Sequence, residues 1–235
     1  PKAFPCFRRN GGQRYSHKSN LQTLSYNFAG MWNALQRGMG KDQMESIVEQ
    51  LCATPAMVPD LIELLKEMPA ANAMERKRIK VRRQKAAWVI RRLAEVSPEQ
   101  LLPHHARLHG LLDDIDDSSV LRELMKALDA PAIRLLESQV QIDDLALIGC
   151  SWMEDPAVPR ALHYVGMQLV ENRLGKSKAV SSSDALQSLD RMVQQAHAAG
   201  GNSAPLIQCA IRRRHKWLLK ISHERNPQSA GESPR

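Results

Sequence analysis

The stretch that decides the predicted fold is LPHHARLHGLLDDIDDSSVLRELMKAL, residues 102–128. Leucines recur at helical spacing as far as Leu112, and a polar, acidic run from Asp113 to Ser119 follows. Apolar residues then resume at helical spacing from Val120 to Leu128. This pattern predicts two helices joined by a short acidic turn.

The same helical spacing of apolar residues extends in both directions along the chain. Aromatic residues make up only 4% of the sequence, and no stretch alternates apolar and polar residues for long enough to indicate a strand. Capping residues and prolines divide the pattern into predicted helices at residues 42–53, 59–68, 74–96, 97–112, 120–128, 133–140, 143–153, 158–174, 181–199 and 203–221. We therefore predict an all-α fold of nine or ten helices, packed as stacked antiparallel pairs.

The stretch around residues 102–128 resembles a HEAT repeat. The matching positions are the helix entry Leu102-Pro103, the exit Leu111-Leu112, the turn residues Asp114 and Asp116, Val120, and Ala127-Leu128, while Arg122 stands one place later than the family's arginine. Residues 155–162, DPAVPRAL, give a second, partial match. The resemblance implies a short HEAT-like (armadillo-like) α-solenoid over residues 42–222, with an elongated binding surface and no particular chemistry.

The net charge of +8 belongs chiefly to the beginning of the chain. Residues 1–41 contain seven Lys or Arg and no Asp or Glu, whereas the other 194 residues carry 26 basic and 25 acidic side chains. We predict that residues 1–41 form a basic, irregular arm. The alternative is an organellar transit peptide, which has a similar composition. Residues 223–235 are predicted to form a disordered tail.

Two basic stretches are candidate phosphate-binding surfaces. They lie within residues 76–92 and at residues 212–214, each on a predicted helix. Cations along one helix face can neutralise the phosphates of a nucleic acid. For residues 76–92 the alternative is a solvated face that pairs with acidic residues at 113–117 or 143–144. For residues 212–214 the alternative is that cations stabilise the C-terminal half of the last helix through its dipole. The candidate residues are Arg76, Lys77, Arg78, Lys80, Arg82, Arg83, Lys85, Arg212, Arg213 and Arg214.

No motif indicates a metal site. His105 and His109 lie one helical turn apart beside His104, but no cysteine or carboxylate at a suitable spacing completes a zinc site, so we predict a solvent-facing cluster. The acidic loop 113–117 lacks the glycine and the terminal glutamate of a calcium-binding EF-hand. We predict no metal and no cofactor.

No motif indicates catalysis either. The sequence has no nucleophile elbow and no phosphate-binding glycine loop, which predicts a protein that is not an enzyme and has no small-molecule substrate. Alkylpurine DNA glycosylases also use a HEAT-like solenoid, with a Trp and an Asp close together on one helix. The nearest equivalent here, Trp152-Met153-Glu154-Asp155, differs in order and spacing.

The sequence therefore predicts a non-catalytic scaffold protein that binds a protein partner or a second copy of itself. The alternative is a nucleic-acid-associated protein, such as a component of a ribonucleoprotein or an organellar ribosome, and a DNA glycosylase is a third candidate. The four cysteines lie far apart and no apolar run could span a membrane. These features predict a cytoplasmic protein, or alternatively one of a mitochondrial or other organellar matrix.

Overall fold

The described part of the chain is built from α-helices joined by short turns. The computed structural model describes residues 40–67, 72–200 and 203–225, with side chains as far as residue 222. Within these ranges there are ten α-helices and no strand, which confirms the predicted all-α class and helix count. The predicted arm up to residue 39 and the tail beyond residue 225 lie outside the described residues. The helices are α1 (Lys41–Ala53), α2 (Val58–Glu63), α3 (Ala73–Val96), α4 (His105–Gly110), α5 (Ser118–Leu128), α6 (Pro131–Arg134), α7 (Gln139–Glu154), α8 (Arg160–Arg173), α9 (Ser182–Ala198) and α10 (Ala204–Arg225).

Polar residues just before the helices explain where several of them begin. The Asp117 carboxylate accepts hydrogen bonds from the backbone N–H groups of Ser119 at 2.8 Å and Val120 at 3.1 Å. These donors have no partner inside α5, so the cap satisfies them. Ser138 and Ser181 cap α7 and α9 in the same way, and each helix completes a capping box with its third residue. Local hydrogen bonds therefore set these starting points.

The segment between α3 and α5 differs from the continuous helix predicted over residues 97–112. It consists of 3₁₀ turns at Pro98–Gln100, Leu102–His104 and Leu112–Asp114 around the short α4. Pro103 has no N–H group and disfavours a helical conformation at the residue before it, so the α-helix is interrupted there. The helix predicted at residues 133–140 is also wrong, because α6 ends at Arg134 and Ser138 caps a new helix.

Helices α3, α5 and α8 lie side by side and run in the same direction. Successive contacts between α3 and α5 join Gln84 to Asp117 at 3.4 Å and Arg91 to Glu123 at 2.9 Å. The residue numbers rise together along the pair, which identifies parallel helices. Asp129, at the C-terminal end of α5, contacts residues 168–173 at the C-terminal end of α8.

Helix α10 continues this layer beside α8. The Arg160 guanidinium lies 3.4 Å from the Ser203 hydroxyl near the start of both helices, and the Lys220 ammonium donates to the Leu174 carbonyl oxygen at 3.1 Å near their ends. We call α3, α5, α8 and α10 the first layer. Every helix in it points the same way, which requires a return segment between each pair of neighbours.

The return segments are α4 with its flanking turns, α7 and α9. Asp143 of α7 accepts from the backbone N–H of Lys178, just before α9, and Glu154 at its far end pairs with Arg191 of α9 at 3.0 Å. Helices α7 and α9 are therefore parallel to each other, and we call them the second layer. Alternating directions between two layers are what a stack of helix pairs requires. The HEAT-like solenoid itself stays a prediction.

Helix α8 lies between two apolar cores. Its Val165 and Leu169 belong to the first core, which is formed mainly by α1 to α5. Its Met167 and Val170 belong to the second, which α7, α9 and α10 share around the fully buried Trp217. Because one helix supplies side chains to both cores, the two halves of the described chain pack as one stack.

Two glycines allow α7 and α8 to approach closely. A Cβ atom added to Gly166 would lie 2.8 Å from the carbonyl oxygen of Gly149, and one added to Gly149 would lie 2.8 Å from the carbonyl oxygen of Gly166. Gly149 also faces Leu169 and Val170, while Gly166 faces Trp152, so the helices run antiparallel. Backbone contact at this crossing leaves no room for a side chain.

We expect Gly166→Ala to lower the free energy of unfolding. Alanine gains about 1 kcal/mol of helix propensity, but overpacking a closely packed site costs about 1–3 kcal/mol, and here the obstacle is backbone that cannot change rotamer. The net loss should be about 1 kcal/mol, measured by urea unfolding. Gly110→Ala is the control, because nothing lies within 4 Å of a Cβ there. An equal loss in both variants would contradict the close-packing argument.

A buried ion network holds the C-terminal ends of α5 and α8 together. The Arg173 guanidinium donates to Asp129 at 2.9 Å and also to Glu137, and its side chain is only 1% exposed. Asp129 accepts two further hydrogen bonds, from the amide groups of Gln168 at 2.9 Å and Asn172 at 2.8 Å. Each member of a buried ion pair depends on the other, because an isolated charge is unstable in an apolar surrounding.

We expect Arg173→Met to destabilise the fold by about 3–5 kcal/mol, the usual effect of removing one partner from a buried ion pair. The loss arises because Asp129 and Glu137 would remain buried without their cation. Arg191→Met is the control, since Arg191 pairs with Glu154 at the surface and its loss should cost less than about 1 kcal/mol. Thermal or urea unfolding compares the two variants, and similar values would contradict the network's importance.

Candidate binding groove

The structure pairs most of the predicted cations of α3 with acidic side chains. Arg83 lies 3.1 Å from Asp116, and Lys80 lies 3.4 Å from Asp117. Arg82 forms an ion pair with Glu67. These partners include the acidic loop that the sequence offers as the alternative to phosphate. Much of the positive charge of α3 is therefore paired with carboxylates of the same chain.

Three of the α3 candidates are buried rather than exposed. The whole residues Arg82, Arg83 and Lys85 are 3%, 7% and 8% exposed, and burial lowers the pKa of Lys85. Their aliphatic stems lie between helices and carry the charged ends to the edge of the packing. Arg76, Lys77, Arg78 and Lys80 are exposed at the beginning of α3. Arg78 lies 3.5 Å from Glu75.

The basic cluster of α10 is paired in the same way. Arg213 forms an ion pair with Glu171 of α8, and Arg214 lies 2.8 Å from Asp190 of α9. Arg212 is exposed. Helices α5 and α8 separate this cluster from α3, which at 8–10 Å per helix contact places the two basic stretches about 25–30 Å apart. The structure does not bring them together in one site.

A groove crosses the first layer near the C-terminal ends of its helices. A cavity of about 420 Å³ opens beside Trp88, whose whole-residue exposure is 43%. A depression of about 500 Å³ shares Arg91 and Glu95 with it and continues to Gln168 of α8. We call this combined feature the Trp88 groove. Its lining residues are Lys41, Met44, Glu45, Trp88, Arg91, Arg92, Ala94, Glu95, Pro98, Glu123, Lys126, Asp129, Ala130, Pro131, Ala132 and Gln168.

Ion pairs between helices form the walls of the Trp88 groove. Arg91 lies between two carboxylates, 3.0 Å from Glu95 and 2.9 Å from Glu123. Arg92 also lies between two, 2.9 Å from Glu45 of α1 and 3.1 Å from Glu95. Each arginine therefore ties α3 to a neighbouring helix. Such a network restrains the side chains around the groove.

Glu123 is a deeply buried carboxylate of the groove. Its side chain is 3% exposed and has three cationic neighbours, Arg91, Arg122 and Lys126. Burial alone would raise the pKa of Glu123, but hydrogen bonds from Arg91 and Arg122 and the nearby ammonium of Lys126 outweigh burial and lower it. Glu123 is thus held as a carboxylate.

The sequence did not single out the groove residues. The signal that could have found them is the spacing of Trp88, Arg91, Arg92 and Glu95, which lie three, four and seven residues apart on one helix face. An indole on a face otherwise made of charged residues indicates a surface position for a large apolar group. The partners Glu45 and Glu123 come from other helices and required the structure.

The histidines are less exposed than predicted. His105 is buried and His109 is half-buried, and burial lowers the pKa of both rings, with His109 adding to the effect at His105. The solvent-facing prediction is therefore wrong for His105, because its helix packs that face inward. In the described part of the chain, no cluster of three or more His, Cys, Asp or Glu side chains could hold a metal ion.

The residues compared with the glycosylase signature serve the fold here. Trp152 is half-buried against the first core, and Glu154 accepts hydrogen bonds from Ser188 and Arg191 of α9. The Asp155 carboxylate accepts from the backbone N–H of Ala157 at 2.8 Å, which is a local turn. These contacts fix the connection between α7 and α8.

Comparisons with known proteins found no relative. No family model, no curated protein and no solved structure matches the chain. The resemblance to HEAT repeats therefore still depends on residues 102–128 and 155–162 alone. Among the helices that the structure describes, none combines the length and the apolar composition needed to cross a bilayer.

We expect Glu123→Gln and Glu137→Gln to change the pH dependence of stability in opposite senses. The pKa of Glu123 is lower in the folded chain than its unfolded value of 4.5. Ionised Glu123 therefore stabilises the fold at pH values above 4.5, and this stabilisation is lost as the pH falls through the folded pKa. Burial raises the pKa of Glu137 above 4.5; the charge of Asp129 reinforces this shift, and the attraction of Arg173 only partly offsets it. The protonated Glu137 carboxyl therefore stabilises the fold below pH 4.5, and this stabilisation is lost as the pH rises through the folded pKa.

The measurement is the free energy of unfolding across the acid range for both variants. Relative to the unchanged chain, the Glu123→Gln deficit should shrink as the pH falls. The Glu137→Gln variant should instead gain relative stability as the pH rises. Parallel pH profiles for the three proteins would contradict the assigned environments.

Proposed function

We propose that this chain is a non-catalytic binding protein that holds a protein partner along the Trp88 groove, as a scaffold within a larger assembly. The observation that carries the proposal is the exposed indole of Trp88 in a groove whose walls are ion-paired between helices. Tryptophan and arginine contribute most to binding energy at protein interfaces. A restrained surface also loses little conformational entropy on binding.

The charges of the groove favour a protein partner. Glu45, Glu95 and Glu123 already pair with Arg91 and Arg92, so the groove offers no large excess of one sign. A polar rim around an apolar anchor is the usual composition of a protein interface. The groove crosses three parallel helices, which suits an extended segment or a single helix from the partner.

The wider prediction fits this proposal. A HEAT-like stack would present the first layer as an elongated surface, and such surfaces bind proteins in many repeat families. A second copy of the chain is the other candidate partner. We place the protein in a reducing compartment, the cytoplasm or alternatively an organellar matrix, because Cys52, Cys150 and Cys209 are free thiols.

Nucleic-acid binding is the second candidate function. The exposed cations at the beginning of α3, together with Arg212, favour it. The ion pairs of Arg82, Arg83, Arg213 and Arg214 and the distance between α3 and α10 weigh against it. Titration of a short RNA and a DNA duplex at low salt separates the two candidates, because phosphate contacts weaken steeply as salt rises. If the chain is a protein-binding scaffold, we expect neither the RNA nor the DNA duplex to bind at low salt.

We expect Trp88→Ala to weaken partner binding by more than about tenfold, the effect of losing a central aromatic contact. The tagged chain would be purified from its native source, and the co-purifying partner then measured against the purified variants. Leu147→Ala is the control, because Leu147 is similarly exposed, at 49%, but lies on α7 in the second layer. Equal binding by both variants would contradict the assignment of the groove.

A further inference from the structure

Most of the exposed large apolar side chains in the described part of the chain lie on or beside two helices. Ten such side chains are exposed there, and seven of them belong to α7, the turn before it, or α10. The seven are Leu135, Leu136, Val140, Leu147, Ile211, Leu218 and Leu219. Exposed apolar surface that is concentrated in this way marks interaction sites. Each of the two helices therefore carries a candidate contact surface.

The exposed faces of α7 and α10 carry the same kinds of residue at the same spacing. The α7 stripe consists of Val140, Asp144, Leu147 and Ser151. The α10 stripe consists of Ile211, His215, Leu218 and Ser222. Each stripe has an aliphatic, an ionisable, an aliphatic and a serine residue at intervals of four, three and four. This spacing keeps a stripe within about 60° of its helix surface. Asp144 is half-buried, and the other members of both stripes are exposed.

We propose that the α7 stripe of one chain packs against the α10 stripe of a second copy, with the two helices parallel and in register. Intervals of four and three residues are those of the contact positions in two-helix packing. Because each copy contributes a different stripe, every copy keeps one stripe free and further copies add head to tail. The contact lies outside the Trp88 groove and goes beyond the proposed function.

The charges of the two helices favour this pairing over contact between identical stripes. Helix α7 contains three acidic side chains and no Lys, Arg or His. Residues 204–222 of α10 contain five Lys or Arg and no Asp or Glu. Two α7 stripes, or two α10 stripes, would bring like charges together, which disfavours both arrangements. Arg212 is exposed about one turn before His215 and adds to the attraction for Asp144.

The ionisable residue in the middle of each stripe specifies the register. In the proposed alignment the Asp144 carboxylate accepts a hydrogen bond from the His215 imidazole of the second copy. A shift by one turn would place Asp144 against Ile211 or Leu218 and leave a carboxylate without a partner in an apolar contact. A single polar position is known to select the alignment of two packed helices in this way.

The length of the stripes predicts a weak association. Each stripe spans about 16 Å along its helix, and one helix pair of that length buries less area than the roughly 800 Å² per partner of a standard interface. We therefore expect assembly that grows with protein concentration and reverses on dilution.

A complementation experiment in the full chain tests the contact. The first variant combines Val140→Ser with Leu147→Ser, and the second combines Ile211→Ser with Leu218→Ser. Each variant alone should associate more than about a hundredfold more weakly than the unchanged chain, because each buried aliphatic side chain contributes about tenfold or more. An equimolar mixture should form a dimer and nothing larger, since it contains one intact stripe of each kind. Analytical ultracentrifugation measures all four samples.

Three results of this experiment overturn the proposal. The first is an unchanged chain that stays monomeric at millimolar concentration. The second is a variant that assembles alone as strongly as the unchanged chain. The third is a mixture without dimer, which would mean that the contact is not between unlike stripes. An unchanged helical circular dichroism spectrum of both variants is required, so a folding defect does not enter the comparison.

The matched control replaces exposed apolar residues outside the stripes. Met74→Ser with Val96→Ser changes both ends of α3, where the two side chains are exposed. The association of this variant should equal that of the unchanged chain. An equal loss in this variant and in the stripe variants would mean that general apolar adhesion drives the assembly, and the proposal would be wrong.

Single variants separate this inference from the proposed function. Trp88→Ala should leave self-association unchanged, whereas Leu147→Ala should weaken it by about tenfold and leave binding at the Trp88 groove intact. If Trp88→Ala abolishes self-association, the second copy occupies the groove and this inference alone fails. If self-association depends on the stripes and no partner depends on Trp88, the proposed function alone fails.

Discussion

The buried pairing of Arg173 with Asp129 and Glu137 is the constraint on which the arrangement of the stack depends. Asp129 follows α5, Glu137 precedes α7, and Arg173 ends α8, so one guanidinium joins the ends of three helices. Apolar packing has little directional preference, so it specifies the register of neighbouring helices less sharply than a charge pair does. A buried charge that must meet its partners removes that freedom. The network therefore sets the register between α5 and α8.

The glycine crossing complements this constraint. Gly149 and Gly166 let the backbones of α7 and α8 touch, which fixes their separation as well as their register. Helix α8 is consequently restrained by charge on one side and by close backbone contact on the other. Because its side chains contribute to both cores, these two restraints also hold the two halves of the described chain in one orientation.

The amphipathic spacing of the sequence predicted the class, the helix count and most helix positions. It succeeded where a recognised cap decides, as at Ser181, and it failed at Ser138, which caps α7 inside a stretch predicted to be one earlier helix. It failed at Pro103, where a proline within an apolar pattern interrupts the helix. The burial of Arg82, Arg83 and Lys85 was not predictable, because a basic residue's stem can lie against a neighbouring helix that only the fold supplies. The same limit applied to the groove, whose carboxylates come from three separate helices.

The common direction of the first-layer helices has an electrostatic consequence. Each α-helix carries about half a negative charge at its C-terminal end, and parallel neighbours place these ends along one edge, where their potentials add. The cations Arg91, Arg92, Lys126 and Arg173 all lie within the last turn or two of their helices. Much of their charge is therefore balanced by the peptide dipoles beneath them as well as by carboxylates. A polyanion approaching this edge would meet far less positive potential than a count of its basic side chains suggests.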